Sequence, residues 1–320
     1  MPSLRSVLLS RAPAKVEENL ETGEIWAYTP GTYYTGFQSG FCWRAPAAGT
    51  AVIESWGAGG SGSRMCCCGY GLPGNAGAYA KKTITVDTSS RVCGCIGFPW
   101  YAHELCFSRC GDPTGLCWFG ASGTNGCICT QGGRGGTSFC STTPSAWCCY
   151  IANGFCGNRC SGDNCGMICN HCAGGWLACA FGGDINCCGK IGCASFFGCY
   201  PNCVCYYQYH TPVPAGLIAE DGALVTSGAD SDGTPAGNWS GNQLFAFFTG
   251  MNNLTRSPKT GNPIVSCWRS DRSCGCFEMQ GCSPYLPIGT GGLPPQPCGD
   301  VRDHGIRGGW GAVRIKFIAS

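Results

Sequence analysis

The side chains with the most chemistry to offer are 31 cysteines in 320 residues. Thiolates bind metal, oxidise to disulfides or act as nucleophiles, and spacing separates these uses. Cys165, Cys169 and Cys172, with His171 beside them, have zinc-like spacing. The clusters Cys66-Cys67-Cys68, Cys148-Cys149 and Cys187-Cys188 do not, because adjacent cysteines chelate one tetrahedral ion poorly. The recurring close pair is C-x-C, at Cys93/Cys95, Cys127/Cys129, Cys203/Cys205 and Cys274/Cys276. Residues i and i+2 of a strand share a face, so C-x-C sets two sulfurs on one side of a sheet. Disulfides are therefore the expected use, with Cys42 and the cysteines of these clusters and pairs as candidates and no metal ligand set assigned. Most cysteines in 42–205 are expected to be paired. The total is odd, so at least one thiol is left over or joins another chain.

Other chemistry is weakly supported. The histidines are His103, His171, His210 and His304. Among so many cysteines a nearby His is expected by chance, so no Cys/His catalytic pair is assigned and no enzymatic activity is expected. Asp300 and Asp303 read as a solvated turn. Gly57 to Gly62 lacks the Gly-Lys-Ser/Thr ending of a phosphate loop, which excludes nucleotide binding there. Asn238-Trp-Ser240 and Asn253-Leu-Thr255 match the glycosylation tripeptide, which matters only in a eukaryotic secretory route. No cofactor is expected. The aromatic groups Phe98-Pro99-Trp100-Tyr101, Trp118-Phe119 and Tyr206-Tyr207 stand beside Gly or Cys. Such rings either fill a core short of aliphatics or meet sugar faces.

The elements that must position these residues are strands and loops. Glycine, at 53 of 320, stands at about 17% against a usual ~7%, and charged residues are only 12%. Hydrophobic residues at 44% and a net charge of +2 exclude a disordered chain. Twenty Lys and Arg against 18 Asp and Glu exclude a basic nucleic-acid binder. No apolar run approaches the ~18 residues of a membrane span, so no membrane insertion is expected. Val7-Leu8-Leu9 is too short for a secretory signal. A disulfide-rich chain without an export address fits a protein released on lysis.

Residues 1–38 carry no cysteine and a charge cluster from Lys15 to Glu24, and are expected to be an N-terminal attachment arm lying against another chain. Val16 to Leu20 fits one short helix. Residues 39–320 are expected to form a Gly/Cys-rich β domain with a cysteine-free insertion at 206–266. Thr50-Ala-Val-Ile-Glu-Ser-Trp56 reads as a strand. In 78–86, Ala80, Lys82, Ile84 and Val86 share one face and Tyr79, Lys81, Thr83 and Thr85 the other. In 312–318, Val313, Ile315 and Phe317 alternate with Arg314 and Lys316, which implies one buried face. The fold class is mainly β: a Gly-rich, disulfide-stabilised β-sandwich-like domain with long loops.

Trp56-Gly-Ala-Gly-Gly60, Gly74-Asn-Ala-Gly-Ala-Tyr-Ala80, Gly132-Gly-Arg-Gly-Gly136 and Gly308-Gly-Trp-Gly-Ala-Val-Arg-Ile315 occur in this order. The series resembles the glycine-rich domains of tailed-phage virion proteins, especially tail fibres and other appendages. The residues that carry the resemblance are Trp56, Gly57, Gly59, Gly60, Tyr79, Gly308 and Gly309. It implies that the strand 50–56 and the strand 312–318 open and close one domain and lie side by side. It also implies a structural virion protein, a tail-fibre or appendage component contacting a host surface. Its partners would be other virion proteins, copies of itself and a host surface glycan. A capsid or tail decoration protein and a metal-binding Cys-rich protein are the alternatives.

Overall fold

The computed structural model describes residues 14–19, 23–29, 38–63, 69–100, 110–120, 125–136, 138–140, 157–159, 164–169, 177–189, 191–199, 203–210, 214, 216, 265–266, 286–292 and 307–320. The strands, in chain order, are β1 (Lys15–Asn19), β2 (Glu24–Tyr28), β3 (Ser39–Arg44), β4 (Gly49–Trp56), β5 (Gly69–Gly71), β6 (Tyr79–Val86), β7 (Arg91–Ile96), β8 (Thr114–Phe119), β9 (Gly126–Thr130), β10 (Ser138–Cys140), β11 (Gly157–Arg159), β12 (Asn164–Cys169), β13 (Ala180–Phe181), β14 (Ile185–Cys187), β15 (Cys193–Cys199), β16 (Cys203–His210), β17 (Val265–Ser266), β18 (Leu286–Pro287) and β19 (Ala312–Ala319). No helix occurs among the described residues.

Two antiparallel sheets form a sandwich. The larger has the order β1-β2-β19-β4-β6-β14, and the smaller β13-β9-β8-β7-β3. Their facing sides supply one core. Ile25, Ala27, Ala51, Ile53, Ala80, Ile84, Val86, Val313 and Ile315 come from the larger sheet. Phe41, Trp43, Val92, Ile96, Leu116, Trp118 and Ile128 come from the smaller. These residues alternate along their strands, so the period of two selects the buried face. The expected neighbours meet: β19 pairs with β4 over its whole length, Ile315 opposite Ile53. In β6 the inward face is the one that carries Ala80, Ile84 and Val86, which lie in the core.

The arm is corrected by the structure. Residues 15–19 and 24–28 belong to the body: β2 pairs with β1 on one side and β19 on the other, and Ile25, Trp26, Ala27 and Tyr28 are buried. Val16–Asn19 is strand, not helix, with Val16 in β1 opposite Ala27, and Leu20 lies outside the described residues. The cause is the apolar run 25–28, which makes β2 an interior strand covered on both faces and gives β1 an edge to pair with. Ala14 N–H donates to Gly40 O at 3.1 Å, which ties the start of β1 to the smaller sheet. Residues 1–13 and 30–37 lie outside the described residues.

Candidate functional site

Two features stand out: a cysteine row on the outer face of the smaller sheet, and a glycine lattice at one end of the sandwich. The cysteine row follows from register. Cys42 is opposite Cys93, Cys93 opposite Cys117, and Cys117 opposite Cys127, so one line of cysteines crosses β3, β7, β8 and β9. Their chain neighbours Trp43, Val92, Leu116, Trp118 and Ile128 face the core, which turns the sulfurs outward. Disulfides join Cys42 to Cys93 and Cys117 to Cys127. Cys117 was not a candidate from sequence, because it stands in no motif and only the cross-strand register reveals it. The C-x-C expectation holds for Cys93/Cys95 and Cys127/Cys129, whose members share the outer face.

Other candidates differ from expectation. Cys129 and Cys188 are thiols. Cys95 and Cys129 both face Gly115 from opposite sides, one on β7 and one on β9. Two strand spacings, about 9.5 Å, exceed the reach of a disulfide. Among the described side chains Cys42, Cys93, Cys117 and Cys127 are bridged, while Cys110, Cys129, Cys179 and Cys188 are thiols.

The pair Cys203/Cys205 departs from the simple C-x-C picture as well. In β16 the backbone sets Cys203 opposite Cys199 of β15. Val204 pairs with Gly198 and Tyr206 with Phe197, so Cys205 is the extra residue of the register shift and has no counterpart on β15. Such a bulge interrupts the period of two on which a shared face depends. The side chains of Cys203 and Cys205 lie outside the described residues, and no bridge is assigned to either. Cys66, Cys67, Cys68, Cys148, Cys149, Cys274 and Cys276 lie outside the described residues, as do His103, His171, His304, Asp300, Asp303, Asn238 and Asn253. Among the described residues no group of three or more His, Cys, Asp or Glu is placed to hold a metal ion.

The glycine lattice continues both sheets at the end where β2, β4, β7 and β9 finish and β3, β6, β8 and β19 begin. It consists of residues 57–63, 72–78, 111–113, 131–136, 289–292 and 307–311, none of which is strand or helix. Its hydrogen bonds run between segments. Gly59 N–H donates to Gly309 O at 2.9 Å, and Gly309 N–H to Thr290 O at 2.7 Å. Gly60 N–H donates to Asn75 O at 3.0 Å, Asn75 N–H to Arg134 O at 2.7 Å, and Gly133 N–H to Ala58 O at 2.8 Å. Gly74 N–H reaches Gly292 O at 2.8 Å, and Gly292 N–H returns to Gly60 O at 2.7 Å.

Gly57 and Gly60, Gly74 and Gly77, Gly133 and Gly136, and Gly308 and Gly311 are each three apart. Three residues per turn is the period of a polyproline II-type helix, which has no internal hydrogen bonds and turns its N–H groups to neighbours. Every third residue then faces an adjoining backbone. A Cβ on Gly57 would fall on Gln131 O, on Gly59 on Thr290 O, and on Gly60 on Arg134 O. Only glycine fits. The residues that carry the family resemblance meet here: Gly308 lies against Gly59, and the rings of Trp56 and Tyr79 are 5.3 Å apart.

Beside the lattice, the outward face of the larger sheet carries a polar network. Arg314 donates from Nε to Glu24 at 2.9 Å and from Nη1 to Glu54 at 3.0 Å, and its guanidinium lies 5.5 Å from the Trp26 ring centre. Tyr79 O–H donates to Glu54 at 2.7 Å, and Tyr28 O–H to Glu17 at 2.6 Å. The Trp26 and Trp56 rings stack at 5.4 Å. Arg314→Met leaves buried Glu54 without its cation and is expected to lower stability by about 3 kcal/mol. Lys316→Met, at an exposed site of the same strand, should stay within about 0.5 kcal/mol in the same urea titration.

Burial first, and the bond to Glu17 next, push the Tyr28 hydroxyl from 10.0 up to about 12. Burial and Glu54 raise Tyr79 as well. The folded state therefore holds these protons after the unfolded chain has released them. The contribution of Tyr28 is whole below pH 10 and is lost as pH rises through about 12. The urea midpoint is expected to fall over that window, and to fall less steeply in Tyr28→Phe.

Of the aromatic groups, Phe98 and Trp118 are buried, so the core-filling use holds for them, while Phe119 is exposed on the cysteine face with Phe181. Asp112, half-buried, accepts from Trp100 Nε1 at 2.9 Å, and burial raises its carboxyl. Comparison with models of protein families finds no match to the chain, and comparison with curated proteins finds none.

Proposed function

We propose that the chain is a non-enzymatic structural protein of a tailed-phage virion, a tail-fibre or appendage component that presents its glycine-rich body to the host surface. The observation that supports this reading is the glycine lattice. It gathers the residues on which the family resemblance rests, and backbone bonds hold it together. A scaffold of that kind fixes where its connecting stretches leave and return without prescribing their side chains, which suits recognition. In sequence, the stretches between its segments are rich in cysteine and aromatic residues. Disulfides in a sheet suit a protein that works outside a reducing cell. The partners in this reading are other virion proteins, further copies of the chain and a glycan of the host envelope. The near balance of charge argues against nucleic acid as a partner.

The full chain, labelled with a fluorophore and applied to a panel of bacterial isolates, is expected to coat some of them. Periodate treatment of the cells should remove the binding if the receptor is a glycan. Failure to bind the envelope of a host that the phage infects would count against the adhesive role and favour particle decoration.

A further inference from the structure

Residues 177–189 cross from one sheet to the other. Strand β13 extends the smaller sheet beside β9, with Phe181 opposite Cys129. Strand β14 extends the larger sheet beside β6, with Ile185 opposite Lys81. Each leg is held by its own sheet. Gln131 N–H donates to Cys179 O at 3.0 Å, and Cys179 N–H donates to Gln131 Oε1 at 2.9 Å. Asp184 N–H donates to Lys81 O at 2.7 Å, Thr83 N–H donates to the Asp184 carboxylate at 2.8 Å, and Lys82 pairs with that carboxylate.

At the base the legs come together. Gly189 N–H donates to Ala178 O at 2.8 Å, and a Cβ on Gly189 would lie 3.1 Å from the Ala178 Cβ. One step towards the turn on each leg stand Cys179 and Cys188. The Cys188 and Cys179 side chains are hydrogen-bonded to each other, and the Cys179 thiol donates to Leu177 O at 3.4 Å. Cys188 is exposed, so a soluble oxidant can reach it.

We propose that Cys179 and Cys188 are a third disulfide site in the body, a clasp across the crossover between the two sheets, closed by an oxidised low-molecular-weight thiol such as glutathione disulfide. The Cys188 thiolate attacks one sulfur of the oxidant, forming a mixed disulfide and releasing one thiol. Cys179 then attacks the Cys188 sulfur and expels the second thiol. Two protein S–H bonds become one S–S bond, and the two electrons leave on the oxidant, which departs as two thiols. The legs are already fixed by Gln131 and β6, and the two side chains are already in contact. This clasp does not depend on the virion reading.

The test is differential alkylation of the full folded chain after incubation with glutathione disulfide. Free thiols receive one isotopic label; after unfolding and reduction, the remainder receive the second. Fragment mass spectrometry then reads each position. Cys179 and Cys188 are expected to carry the second label. Before reduction, a Cys179–Cys188 cross-link should appear in the wild-type chain and in Cys187→Ser, whereas in Cys179→Ser the reaction should stop at the mixed disulfide, with Cys188 either glutathione-capped or carrying the first label. First label on both residues in the wild-type chain would overturn the clasp. So would a Cys188 that is cross-linked to another cysteine of the chain in Cys179→Ser, since its partner would then lie elsewhere.

Discussion

Gly59→Ala is expected to lower the unfolding free energy by about 4 kcal/mol, and Gly115→Ala to change it by less than about 0.5 kcal/mol. Both replace a glycine hydrogen by a methyl group in the same body. At Gly59 the new Cβ falls on the carbonyl oxygen of Thr290, and Gly308 presses on the same glycine. Relief requires two segments to part. Separation strains or breaks the bonds from Gly59 to Gly309 and from Gly309 to Thr290. Each buried backbone group left without a partner costs about 1–3 kcal/mol. Gly115 faces open space on the outer side of β8, with no atom within 4 Å of a Cβ built there. Guanidinium titrations followed by tryptophan fluorescence compare the two variants. Equal effects would mean that the lattice yields to a methyl group and that its glycines are not required by contact.

Loss of the disulfides should come next in size. The Cys42–Cys93 bridge spans 51 residues and Cys117–Cys127 spans 10. Loop-closure entropy assigns about 4 kcal/mol to the first and about 3 kcal/mol to the second. The double variants Cys42→Ala/Cys93→Ala and Cys117→Ala/Cys127→Ala are therefore expected to lose stability in that order. Both bridges join strands that are already hydrogen-bonded neighbours, so the variants should keep the sheet and shift the unfolding midpoint alone. A loss of strand signal in far-ultraviolet circular dichroism before unfolding would show that the bridges define the smaller sheet.

Much of this was legible where one short-range rule decides the outcome. The alternation Val313, Ile315, Phe317 exposes the buried face of β19, and C-x-C spacing aligns Cys93 with Cys95 and Cys127 with Cys129. The same spacing misleads at Cys203 and Cys205, where a register shift in β16 intervenes that no local pattern announces. Cys117 was hidden because its partners come from register, which depends on how β7, β8 and β9 are aligned. The charges around Glu17 concealed β1, whereas Glu17 is buried as the acceptor for Tyr28 and the partner of Lys15. The signal that would have moved residues 15–19 and 24–28 into the body was the run Ile25-Trp-Ala-Tyr28, four apolar residues suited to a strand covered on both faces. The three-residue glycine period was present too, but doublets such as Gly59-Gly60 and Gly308-Gly309 mask it. It has meaning only once the segments lie side by side.

The central claim is that this lattice-capped sandwich is part of a tailed-phage particle and stands where the particle meets its host. Immunogold electron microscopy of purified particles, with antibody raised against the folded chain, tests it most directly. The claim predicts gold on tail fibres or at the tail tip. Gold confined to the capsid, or particles that carry none of the chain, would contradict it.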